Sequence, residues 1–158
     1  MSEINLRIAN FFKVFSMLIV VVSLAYMYAY VTDKVDFLRS DSVWHDRISK
    51  EFIFYSGLGI FAVYNLIMGL AINMYEDTRG VDKSSLLFKS ELQKQKLIVW
   101  FTYLLTGGNL FIASMIFYLA LVKINLAGNT TDYIYFPLTG ALILMSILLT
   151  LIYQLIKK

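Results

Sequence analysis

Apolar positions fall into four uncharged stretches, 14–32, 52–75, 97–122 and 133–156, divided by short charged segments. A hydrocarbon core of roughly 30 Å takes about 20 residues of helix, and each stretch reaches that length, the first by adding Ile8 to Phe12 and letting Lys13 snorkel to the headgroups. Barrel strands would be about 10 residues long with in/out alternation, and the run Gly140-Ala-Leu-Ile-Leu-Met-Ser-Ile-Leu-Leu has none. The pattern predicts one all-α domain over the whole chain. It is an up-down antiparallel bundle of four transmembrane helices, with spans at about 8–30, 52–75, 97–121 and 134–156.

The second and third helices are expected to run past the bilayer. On the second, Trp44, Ile48, Tyr55, Gly59, Ala62, Gly69 and Asn73 share one face at 100° per residue, which predicts an outer helical extension over 41–51 capped by Ser40 or Asp41. On the third, Phe88, Leu92, Gln95, Val99, Thr102, Thr106, Asn109 and Ala113 recur at alternating spacings of four and three. This predicts an inner extension over 85–96, with a cap at Ser84 or Ser85. Such a face is apolar in water and becomes small and polar in lipid, where contact comes from close approach and hydrogen bonds. Trp44, Ile48, Phe88 and Leu92 are therefore candidate partner contacts. Gly80 would end the second helix, and Pro137 falls in the first turn of the fourth, capped by Asp132 or Phe136.

Charge sets the orientation. Of the 14 basic residues, nine lie in the N-terminal segment, the middle loop and the tail, against five in the other two loops. Excess Lys and Arg marks the cytoplasmic side, so both termini are expected inside, and a bacterial inner membrane is the default compartment, with an organellar membrane as the alternative. The first stretch is too long for a cleavable signal peptide and reads as a signal anchor. Basic residues beside anionic headgroups account for the pI near 9 without invoking nucleic acid. Tyrosines and tryptophans gather where the spans end, as expected for interfacial rings.

The four uncharged stretches also hold no histidine or cysteine, and Lys13 at the edge of the first is the one charge taken into a span. Ion and proton paths usually carry ionisable groups, and acid/base catalysis needs positioned ones, so coupled transport and catalysis lack carriers there. Cysteine is absent and His45 is the sole histidine, which leaves neither a bis-histidine haem nor a zinc ligand set. No cofactor or metal is expected. The glycosylation pattern at Asn129-Thr-Thr131 lies too near the membrane to be modified readily. The lack of cysteine argues against tetraspanin-like and claudin-like proteins, and no motif assigns the chain to a family.

What the spans do hold is amides and hydroxyls. Asn65 and Asn109 lie about 14 and 18 Å from the inner ends of their helices at 1.5 Å per residue, close enough in depth to meet. An unpaired amide in hydrocarbon costs several kcal/mol. Asn65, Asn109, Asn73, Thr102 and Thr106 are therefore read as interhelical polar contacts rather than a ligand site. Thr106-Gly-Gly-Asn109 is a possible helix break, although close packing explains the glycines more simply. The function expected is a non-catalytic accessory or scaffold subunit of a larger integral membrane complex, with other membrane subunits and the bilayer as partners. The alternatives are a small homo-oligomeric transporter or channel for a neutral solute, and an interfacial lipid or quinone enzyme using groups such as Glu51 or Glu76.

Overall fold

In a computed structural model, residues 2–31, 34–36, 47–77, 91–124 and 133–156 are described. They form four helices and one short antiparallel strand pair in the order α1 (Ser2–Tyr30), β1 (Lys34–Asp36), β2 (Arg47–Ser49), α2 (Lys50–Asp77), α3 (Glu91–Ile124) and α4 (Tyr135–Ile156). Three helices, α1, α2 and α3, are long and apolar enough to cross a membrane, and α4 is apolar over the shorter stretch Tyr135–Thr150. At 1.5 Å per residue the 34 residues of α3 span about 51 Å, well beyond a hydrocarbon core, and they are helical from Glu91 onward.

The expected outer helical extension over 41–51 is corrected where the chain is described. Residues 47–49 are a strand, with Asp36 opposite Arg47, Val35 opposite Ile48 and Lys34 opposite Ser49. The β-branched Val35 and Ile48 suit an extended backbone, and pairing gives their amides partners that a helix would otherwise supply. The helix therefore starts at Lys50, and Ser49, not Ser40 or Asp41, is its cap: the Phe52 amide donates to Ser49 Oγ at 3.2 Å. Glu51 in the first turn adds a favourable charge at the positive end of the helix. Ser49→Ala is expected to cost about 0.5–2 kcal/mol, read as a lower melting temperature with faster amide exchange confined to the first turn of α2.

At the other predicted ends, Gly80, Ser84, Ser85 and Phe88 lie outside the described residues, as do Trp44 and Asp132. Ile48 and Leu92 are described as backbone only. The start of α4 differs from expectation because the Leu138 amide bonds to the Ile134 carbonyl at 3.2 Å. Ile134 is thus the cap and Phe136 already helical. Pro137 then occupies the third helical position, where its amide would have had no intrahelical partner.

α3 is the hub. It packs most extensively on α1, then on α4, and also on α2. Both helices bury small residues: Ala9, Ser16 and Ser23 recur every seven positions on α1 and are buried, as are Thr102, Thr106, Ala113 and Ala120 on α3. Small side chains let two helix backbones come close, which is the main source of attraction between helices in lipid. Apolar side chains fill in around these small residues in two groups. One joins Val20, Leu24 and Met27 to Ile53, Ala113, Ile116 and Ala120; the other joins Met68 and Ile72 to Ile98 and Leu105.

On α3 the buried line follows the expected stripe from Thr102 to Ala113 but leaves it below, where Gln95 is exposed and Lys94 and Ile98 are buried instead. Lys94 is drawn in because its Nζ reaches the Glu76 carbonyl near the end of α2, at 3.5 Å, a cation at the negative end of a helix. α2 turns the opposite way from the grouping of its small residues. Ile53, Phe61, Tyr64, Met68 and Ile72 pack inward, whereas Tyr55, Gly59, Ala62 and Asn73 are exposed on the far side.

Candidate functional site

The densest polar construction in the bundle joins the middle of α2 to the middle of α3. Asn65 Nδ2 donates to Asn109 Oδ1 at 2.9 Å, and Asn109 Nδ2 returns a bond to Asn65 Oδ1 at 3.1 Å. The two amides form a closed reciprocal pair. The remaining Asn65 proton goes to the Phe61 carbonyl one turn back, at 2.8 Å. Asn109 is fully buried, so this pairing removes the penalty that a lone buried amide would carry.

Tyr64, adjacent in sequence, adds a second tie by donating its hydroxyl to the Leu104 carbonyl on α3 at 2.8 Å. Its ring lies where α3 has no side chain: a Cβ on Gly108 would fall on the phenol carbons and oxygen of Tyr64. Gly107, facing the other way, receives the end of Ile147 from α4, 2.6 Å from where its own Cβ would stand. The two adjacent glycines thus seat side chains from two different helices. α3 is helical through them, so the possible break at Thr106-Gly-Gly-Asn109 is not observed, and close packing is their observed role.

α4 is held by a matching pair of contacts. The buried Trp100 donates Nε1–H to the Ile147 carbonyl at 3.0 Å, and Gly140 lies against Ser114 with the Phe111 Cα only 3.1 Å from where a Cβ would be. Trp100→Phe keeps most of the ring volume and removes the donor. It is expected to destabilise by about 1 kcal/mol, seen as a lower melting temperature in detergent with unchanged helical content by circular dichroism.

The predicted polar residues thus separate into three groups. Asn65 and Asn109 meet across helices. Thr102 and Thr106 are buried in the bundle but bond along their own helix, to the Ile98 and Thr102 carbonyls at 2.9 and 3.0 Å, and Ser16 and Ser23 do the same on α1. Asn73 is exposed on the outward side of α2 and takes no part in the α2–α3 contact. The residues not singled out from sequence as contacts are Tyr64, Trp100 and Gly140, whereas Gly108 belongs to the glycine pair for which close packing was expected. Tyr64 carried a usable signal, since it flanks an asparagine of the pair, and Trp100 carried another, since a buried indole N–H needs an acceptor.

Chemically the α2–α3 junction is neutral and closed. Among the described residues no buried side-chain nitrogen or oxygen lacks a hydrogen-bond partner, and no three of His, Cys, Asp and Glu come together. Polar atoms that each already have a partner within the bundle suit a contact that holds helices together. No family model, curated protein or solved structure matches the chain.

Proposed function

We propose that the chain is a non-catalytic accessory subunit that lies in a membrane and lends the outward face of α2 to a larger integral membrane partner. In this reading the four helices thread the bilayer in alternating directions, both termini are cytoplasmic, and the membrane is the inner membrane of a bacterium. Threading is supported by contact partners. The C-terminal half of α1 meets the start of α2 and the end of α3, and Gly140 near the start of α4 meets Phe111 and Ser114 while Trp100 meets Ile147 further along. The excess of basic residues at the termini and middle loop supports the orientation.

The observation that carries the subunit reading is what α2 leaves uncovered. Gly59 and Gly69 have nothing within 4 Å of where a Cβ would stand, and Ala62 and Asn73 are exposed beside them. Elsewhere in the bundle, at Ala9, Ser16, Ala113 and Ala120, small residues are buried where helices meet. On α2 the same kind of surface has none of the described helices against it, and in lipid small residues are what allow a second helix to approach. The neutral-solute path, by comparison, loses the polar lining it would draw on, because the Asn65 and Asn109 amides are bonded mainly to each other and the buried threonines to their own backbones.

The test is mild solubilisation and affinity capture of the wild type beside Gly59→Leu/Gly69→Leu. The wild type is expected to retain a larger membrane protein at fixed stoichiometry. The double variant fills open space, so its melting temperature as an isolated chain stays unchanged while recovery of the partner falls at least about tenfold, equivalent to about 1.4 kcal/mol. Recovery of the wild type alone, or undiminished capture by the variant, would overturn the proposal.

A further inference from the structure

We draw no further inference here: the strongest candidate, the uncovered face of α2 along Tyr55, Gly59, Ala62, Gly69 and Asn73, is a stripe of mostly small residues already used for the subunit reading, and nothing in the structure shows what covers it.

Discussion

Gly108→Ala is expected to unseat Tyr64 and weaken the bundle by about 1–3 kcal/mol, the range for overpacking a close-packed site. Two effects oppose each other at this position. Alanine gains about 0.5–1 kcal/mol over glycine within a helix. Against that, its methyl group would occupy the place of the Tyr64 phenol, and the ring can yield only by giving up its bond to the Leu104 carbonyl, worth about 1 kcal/mol in its own right. Loss wins. The clash is specific to one side chain, so Tyr64→Ala in the Gly108→Ala background removes it, and the double variant should be less destabilised than the sum of the single variants by about 1–3 kcal/mol. Thermal unfolding of the four proteins in one detergent gives this coupling directly. A Gly108→Ala protein as stable as the wild type would mean that Tyr64 does not sit on α3 as described.

Asn109→Leu is the second large effect. It removes both bonds of the reciprocal pair and strands Asn65 Oδ1, while Asn65 Nδ2 keeps only its bond to the Phe61 carbonyl. Leaving a buried polar group unpaired costs about 1–3 kcal/mol, more than the roughly 0.6–2 kcal/mol that an interhelical bond contributes within a membrane. Asn65→Leu should cost at least as much, because it leaves both Nδ2 and Oδ1 of the fully buried Asn109 without a partner, whereas Asn65 is partly exposed and keeps its bond to Phe61. The double variant, with neither amide left to strand, should be no worse than Asn109→Leu alone. Strictly additive single effects in the melting temperatures would show that the two side chains do not bond to each other.

The bundle could be read from the sequence because charge exclusion is a strong constraint: four uncharged stretches of helical length leave few alternatives. The Asn65–Asn109 pair was legible for the same reason, since two amides at similar heights in apolar helices have little else to bond. The strand pair was not. Residues 47–49 fall in step with the helical periodicity of Tyr55, Gly59 and Ala62, and only pairing with Lys34–Asp36 makes the extended form favourable. Local spacing carries no information about that partner.

Which face of α2 turns inward was also hidden, for a physical reason. In a soluble helix polarity marks the solvent side, but on α2 large apolar residues occupy both sides, with Ile53 and Met68 buried and Leu66 and Ile67 exposed. The small residues were expected to mark a contact face, and in the structure that face points away from the other described helices. On α3 the stripe from Thr102 to Ala113 is buried in the bundle, with Asn109 bonded to α2 and Ala113 packed among α1 residues. The expected stripe failed at Gln95, where the helix meets the end of α2 through Lys94 rather than through a small-residue contact.

The central claim is that a different membrane protein lies against the outward face of α2, and site-specific photo-crosslinking in native membranes tests it most directly. The chain has no cysteine, so a photoreactive thiol label can be placed singly at Gly69, on the uncovered face, and at Leu142, exposed on α4. The account predicts one discrete adduct with another membrane protein from Gly69 and none from Leu142. Lipid adducts alone at both positions, or an adduct only with a second copy of this chain, would contradict it.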